Sequence, residues 1–480
     1  MRIMVFSLGP IFNGQVHGGS QKALRDISIG LGEKGHKIDI YCPRRFDNSE
    51  EFKFSENVTV KPVLLFRGTF PEPYEVGPYN IYKSCEILAS NMKNYDLFYI
   101  HDAELNVEFL KDIIPTVISL RDFCYGETLL GAINFEQSSI IVNSDHSYQC
   151  LLDSFNRINR NITRDKVNLI YNGYNYEHFQ KKTISEEFYK KLNLKKNTEH
   201  NIIGFPHRPD LVKGFIESIE VVSKIVGSGK NVKLLIPEYV DNSDFSSRSY
   251  KTYTRVMKMI KEKKLENNIV FHKWVPHEMM PEYFSYCDVV LCIGNFCESF
   301  SNVSVEALLC ETPVIATNSA TYRTIPIRKY LNIADYGDST QIAEKVIEIL
   351  ENKDTAKAKA KEARNYIIDN LNIKKCVDNY ERVFVEARAN FKDNKKTLDL
   401  SEINIYDDNS KYHLAPWCYY LKNEIYSDYL YGTYKTNLNQ IFKEEKSYTI
   451  SDMITKKIKK KDIEDAINDG IILRDFSEEK

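Results

Sequence analysis

The chain has 480 residues, more than one hydrophobic core normally serves, so two or three domains are expected. Lysine and arginine total 65 against 67 aspartates and glutamates, a net charge of −2, which argues against a general nucleic-acid binder with its basic stripe. The 42% apolar content suffices for ordinary globular cores, and no apolar run reaches the ~18 residues of a membrane span.

The opening residues, MRIMVFSLGPIF, hold an apolar run broken by Ser7, Gly9 and Pro10. They read as a first buried strand and not as a signal peptide. Gly18 and Gly19 come next, ahead of a helical pattern over 20–35 in which Leu24, Ile27 and Leu31 share a face and Gly35 marks the stop. Glycines at that turn permit close backbone approach to a ligand, but GxGxxG is not met, and a plain tight turn explains them equally well. Further buried strands are expected at KIDIYCP, LFYIH, TVISL and SIIVNS, and again at NIIGF, VKLLIPE, NIVFHKWV, DVVLCIG and TPVIATN. Helical segments between them predict two βαβ series, each with a parallel sheet, separated by the polar stretch QKKTISEEFYKKLNLKKNTEH. Beyond residue 350 the pattern turns helical. KDNKKTLDLSEINIYDDNSK then reads as a linker, and a tyrosine-rich tail closes with TKKIKKKDIEDAINDGIILRD. The ten cysteines form no CxxC pair. Cys287, Cys292 and Cys297 recur every five residues, but Cys292 lies in an apolar strand, so buried thiols in a reducing cytoplasm are expected, and no metal site.

Besides the Gly18–Gly19 turn, two stretches carry chemistry. In NFCESFSNVSVEALL, a turn at the carboxyl end of a strand leads into a helix, the edge at which open α/β sheets bind ligands. Ser301 is the expected N-cap, leaving the amides of Asn302 and Val303 for a phosphate. Glu306 follows about 7.5 Å further along the axis at ~1.5 Å per residue, an offset suited to a ribose. Glu298, ahead of the helix, would reach a hydroxyl on the group beyond the phosphates. In IIGFPHRPDLVKGF, Arg208 and Lys213 supply two cations that would neutralise a departing diphosphate in place of a metal. Alone, each motif is equally an ordinary surface feature.

Taken together in this order, the chain resembles the retaining glycosyltransferases of family 4, over roughly residues 1–390. The resemblance rests on GGSQKALRDISIGLGEKGHKIDIY, on VNLIYNGYNYEHF with Asn172, Gly173 and Phe179, on the Arg208/Lys213 pair, and on ESFSNVSVE with Glu298 and Glu306. It implies an α/β, GT-B fold: two Rossmann-like doubly wound parallel-sheet domains facing a deep cleft, and the residues beyond that fold read as a mainly helical C-terminal extension. The implied division is an acceptor domain at 1–180, a nucleotide-sugar donor domain at 181–372 and a helix crossing back at 373–395; the tail itself, with a basic turn, an amphipathic helix through Ile463, Ala466 and Ile467 and a short strand, reads as an extension at 396–480 with a winged-helix-like character. The resemblance further implies Glu298, Arg208 and Lys213 as catalytic residues, with Glu306 on the ribose. Ser301, Asn302, Val303, Gly18 and Gly19 would surround the phosphates, and Trp274 and Val275 would shape the base pocket. Family members commonly carry a histidine after the strand TVISL, where this chain has Arg121 and Asp122. Asp122 and His101, the latter after an earlier strand, are the candidates on the acceptor side.

The implied reaction is metal-independent transfer of a sugar from a nucleotide sugar, UDP favoured, with retention at the anomeric carbon. The acceptor would be a saccharide, lipid-linked or protein hydroxyl in surface polysaccharide or glycoconjugate synthesis. No cofactor or nucleic acid is expected. The location implied is cytoplasmic; Lys456, Lys457, Lys459, Lys460 and Lys461 either meet the inner membrane face peripherally or form a plain solvated helix face. The rivals are a nucleotide-sugar epimerase on the same scaffold, a transferase acting on protein through its extension, and a binding protein with an idle cleft.

Overall fold

A computed structural model describes residues 1–14, 18–45, 47–65, 78–102, 113–123, 125–136, 138–196, 199–238, 248–391, 407–428, 432–444 and 447–475. The expected linker falls largely outside the described residues. The first half contains β1 (Arg2–Ser7), α1 (Gly19–Glu33), β2 (Lys37–Pro43), β3 (Phe52–Ser55), β4 (Val58–Leu64), α2 (Pro78–Met92), β5 (Leu97–His101), β6 (Thr116–Leu120), α3 (Gly126–Ile133), β7 (Ser139–Val142), α4 (Asp145–Ser154) and β8 (Val167–Leu169). The second contains α5 (Glu186–Leu192), β9 (Asn201–Gly204), α6 (Phe215–Gly227), β10 (Val232–Pro237), α7 (Arg248–Glu262), β11 (Ile269–His272), α8 (Met280–Tyr286), β12 (Val289–Cys292), α9 (Asn302–Leu309), β13 (Val314–Thr317), β14 (Asn332–Ala334), α10 (Ser339–Glu351) and α11 (Lys353–Asn370).

The first sheet runs β3-β4-β2-β1-β5-β6-β7-β8 and the second β11-β10-β9-β12-β13-β14. All pairs are parallel except β3 with β4. Strands such as LFYIH and TVISL are buried along their whole length, as expected where helices cover both sheet faces. Each sheet reverses its winding once, between β1 and β5 in the first half and between β9 and β12 in the second. Ligands of open α/β sheets bind outside the carboxyl ends of the strands at such switch points.

Two strands of chain connect the halves and are bonded to each other. Tyr174 N donates to the Leu371 carbonyl at 2.9 Å and Ile373 N to the Tyr174 carbonyl at 3.0 Å. A side chain on Gly173 would collide with Cys376 there. Then α12 (Ile373–Asn390) lies on the first half, where its Val377, Tyr380, Val383 and Phe384 share a core with Leu24, Ile27 and Leu31 of α1.

The C-terminal extension, expected to be mainly helical, is mixed. It has β15 (Lys411–Leu414), β16 (Cys418–Leu421), β17 (Glu424–Ser427), β18 (Gly432–Tyr434), β19 (Tyr448–Thr449), α13 (Ile450–Thr455), α14 (Lys460–Asn468) and β20 (Ile472–Arg474). The strands form two antiparallel sheets, β19-β15-β20 and β16-β17-β18. Tyrosine-rich alternation such as CYYL opposite EIYS favours paired strands, where large side chains meet across the ladder. The extension is seated on α2: Tyr79 donates to the Ile467 carbonyl, Trp417 packs 6.1 Å from the Tyr79 ring, and Trp417 Nε1 donates to the Gly470 carbonyl at 2.9 Å. Among the described residues no helix is long and apolar enough to cross a membrane.

Candidate active site

The two switch points face one another across a cavity of about 200 Å³, lined from the first half by Gly19, Ser20, Arg121, Asp122, Asn143 and Asn172, and from the second by His207, Lys213, Phe296, Glu298, Ser299, Phe300, Asn302 and Val303. Several of these residues lie just past a strand end: Arg121 and Asp122 after β6, Asn143 after β7, His207 after β9.

Lys213 and Glu298 are brought together by backbone fit. Lys213 closes a 3-10 turn, and Gly214 follows at φ 89° before α6 begins. The Val212 carbonyl accepts from both Asn295 N and Phe296 N at 3.0 Å, pinning the loop after β12 to this turn. Any side chain on Gly294 would collide with the backbone of Val212 and Lys213. So held, Lys213 Nζ stands 2.6 Å from Glu298 Oε1 and 4.1 Å from the centre of the Phe296 ring. The ammonium thus has a charged partner and a π-face before any ligand arrives.

Two helix N-termini converge on the same cavity. α9 is capped by Ser301, whose hydroxyl accepts from Ser304 N at 3.4 Å and also meets Tyr322 Oη at 2.7 Å. Ser301 is 1% exposed and does not line the cavity; its role is the cap, while Asn302 and Val303 present the helix start. α1 begins at Gly19 opposite, with no side-chain cap, and a Cβ on Gly19 would collide with the Asn302 amide. Gly18 has open space around it and stands at the cap position. Two such ends, each worth roughly half a positive charge, make the cavity attractive to an anion.

Across the cleft, Asn302 Oδ1 accepts from Asn172 Nδ2 at 2.9 Å and from Tyr174 Oη at 2.6 Å. Asn172 in turn accepts from Arg121 Nη1 at 3.0 Å, and Arg121 Nε lies 3.1 Å from Asp102 Oδ1. Asp102 has φ 70°, a left-handed conformation that costs energy in a non-glycine residue and clusters at functional sites. Asp122 Oδ1 accepts from Ser299 N at 2.9 Å, and burial raises its carboxyl above the ordinary range. Asn143 Nδ2 donates to Ser299 Oγ at 3.1 Å.

Glu306 lies one turn deeper, 7% exposed, with its Oε1 3.6 Å from Lys22 Nζ of α1. Lys22 also meets Asp26 at 3.2 Å and sits over the rings of Tyr174 and Phe179. Burial outweighs this pairing and pushes the Glu306 carboxyl up to about 7.

Other expected residues lie elsewhere. Arg208 is half-buried and absent from the cavity lining, where its neighbour His207 appears instead; Pro206 and Pro209 fix the chain around them. His101 does not face the cleft. It is 2% exposed, its Nε2 meets Ser20 Oγ and its Nδ1 meets Tyr99 Oη, both at 2.9 Å, and burial lowers it to about 4. Val275 is buried in the second half's core, and Trp274 is 44% exposed and outside the lining. Lys22, Arg121, Asn143 and His207 belong to the site without having been selected as site residues. For three of them the position just after a parallel strand was the available signal. Lys22 carried none. Among the described residues no group of three or more His, Cys, Asp or Glu side chains is arranged to hold a metal.

Two doubly wound sheets facing a cleft, with a helix returning from the second half to the first, define the GT-B glycosyltransferase fold. Residues 185–366, which carry α9 and the Lys213 loop, match the sequence model of the family described as glycosyl transferases group 1. Sucrose-phosphate synthase of Thermosynechococcus elongatus superposes with a TM-score of 0.62 at 16% identity, over 81% of this chain and 99% of that one. The Anabaena protein HepE, solved in complex with UDP-glucose, superposes at 0.58 and 16% identity over 80% of this chain and 100% of its own. The N-acetyl-alpha-D-glucosaminyl L-malate synthase of Bacillus anthracis is 21% identical over 79% of this chain and 96% of its own. The chain spans only 58% of a Bacillus subtilis relative and 43% of a Klebsiella pneumoniae protein from a cps region.

Proposed function

We propose that the chain is a retaining glycosyltransferase that moves a sugar from a nucleoside-diphosphate sugar, UDP favoured, to an acceptor hydroxyl in polysaccharide or glycoconjugate synthesis. The observation that carries this reading is the meeting of two helix N-termini with the Lys213–Glu298 pair at one cavity. An anion at that point gains from both helix ends and from the ammonium, so no metal is called for.

In the reaction, an acceptor oxygen forms its bond to the anomeric carbon on the face from which the phosphate departs. The bond from that carbon to the phosphate oxygen breaks, and the acceptor proton passes to the departing oxygen. Lys213 neutralises the growing charge, and Arg208, which is outside the lining in this structure, is the second cation brought to it. Glu298 binds a sugar hydroxyl. Glu306 binds the ribose once Lys22 gives way. A second cavity, of about 210 Å³ and sharing Ser299 with the first, is lined by Phe123, Leu129, His146 and Phe155 and suits the acceptor. The protein would work in the cytoplasm, touching the inner membrane face through its C-terminal lysines.

A panel of UDP, GDP and ADP sugars, screened by thermal shift, tests the reading. One nucleotide class raises the melting temperature in a concentration-dependent way, as a ligand of the folded state must. A flat response to all of them contradicts it. Incubating the protein with that donor alone then separates transfer from epimerisation, since an epimerase converts its donor without an acceptor.

A further inference from the structure

His207 has no part in the scheme above, yet it lines the cavity and also a void of about 10 Å³ behind Lys213 and Glu298. It is 8% exposed, and its ring stands 5.3 Å from that of Phe205 at 70°. The Leu291 carbonyl accepts a hydrogen bond from the imidazole, while Nε2 is buried and has no hydrogen-bond partner. We therefore assign the ring proton to Nδ1, the nitrogen left to donate to that carbonyl. Burial and the nearby Lys213 charge lower the group to about 3, so the ring is neutral at physiological pH and Nε2 keeps its lone pair.

A buried, unpaired ring nitrogen costs on the order of 1–3 kcal/mol, which a core histidine normally avoids by using both nitrogens. Here the deficit has a definite sign: Nε2 can accept and cannot donate. Phosphate oxygens carry no hydrogen at neutral pH, so a diphosphate does not satisfy it. A hydroxyl does. In a nucleoside-diphosphate sugar the hydroxyls nearest the diphosphate-binding Lys213, beside Glu298, are those of the transferred sugar. Resting on the function proposed above, we infer that His207 selects the transferred sugar by accepting a hydrogen bond at Nε2 from one of its hydroxyl groups. The residue is a specificity determinant, and the bonds made and broken in the reaction do not involve it.

The test is calorimetric titration of the full chain with UDP, UDP-glucose, UDP-galactose, GDP and GDP-mannose. Wild type binds one conjugate more tightly than its bare nucleotide. His207→Asn keeps an amide to donate to Leu291 but ends short of the Nε2 position. It binds the bare nucleotide as wild type does and loses about tenfold in affinity for the conjugate, the effect of one polar contact. His207→Gln, which restores an acceptor near Nε2, recovers part of that loss. Should His207→Asn fail to fold, His207→Phe fills the site without an acceptor and is read the same way. Equal weakening of nucleotide and conjugate, or no weakening of either, overturns the inference while leaving the transferase reading intact. Absence of nucleotide binding by wild type overturns both.

Discussion

The Glu306 carboxyl and the Lys22 ammonium are each only 9% exposed and stand 3.6 Å apart, so the charge state of Glu306 depends on how burial and pairing balance. Burial wins, with the carboxyl at about 7 against an ordinary 4.5. A carboxyl raised in the folded state stabilises the fold below 4.5, and that contribution is lost as pH rises through 7. Glu306→Gln removes the titration. The melting temperature of wild type minus that of the variant therefore falls between pH 4.5 and 7, as thermal scans across that range would record. A constant or rising difference would show that burial does not govern this carboxyl. Residues such as these also mark how far the sequence could be read. Glu298, Lys213 and Asn302 were legible because a strand end and a helix start fix where they point. Lys22 and His207 were not: Lys22 takes its place from a segment remote in sequence, and for His207 the position after a strand does not say which of two neighbours turns inward. Lys22 meets Glu306 only when the halves face, and His207 replaces Arg208 in the lining through the course of a proline-flanked loop.

Among the elements, the loop after β12 and the turn before α6 act as one piece. Gly294 admits no side chain against Val212 and Lys213, so Gly294→Ala must push the two segments apart. Overpacking of this kind typically costs about 1–3 kcal/mol. The variant is expected to melt lower and to lose affinity for the donor nucleotide more than Gly227→Ala does, since Gly227 has nothing within 4 Å of its added carbon. Similar effects of the two changes on nucleotide affinity would show that the loop does not position Lys213. Doubly covered strands such as β5 and β6 were readable from their continuous apolar runs. The half-exposed β3 was not, and neither were the strands β15 to β19 of the extension, whose stability comes from cross-strand partners and from α2, although the closing short strand β20 was.

Across the whole molecule, buried neutral imidazoles set the acid limit of stability. His101 and His272 are lowered to about 4 and His207 to about 3, all by burial first. A histidine lowered in the folded state contributes stability present above 6.5 and lost as pH falls toward the folded value. By about pH 5.5 each would cost roughly 1 kcal/mol relative to neutral pH, because a tenfold change in a protonation equilibrium is worth ~1.4 kcal/mol. Three such histidines outweigh the opposite trend of Glu306. Urea midpoints are expected to drop between about pH 7.5 and 5.5, and a midpoint unchanged over that interval contradicts the assignment. Catalysis, as proposed above, belongs to this scale too, since the cavity exists only where the two halves meet and the proposal gives Lys213 the place a metal would take. The most direct test is the rate of nucleotide release from the donor that stabilises the protein, measured in excess EDTA for wild type and for Lys213→Ala. Release by wild type and a loss of ~10²–10³ in the variant are expected. Equal rates for the two proteins, or release only when a divalent metal is supplied, would contradict that role for Lys213.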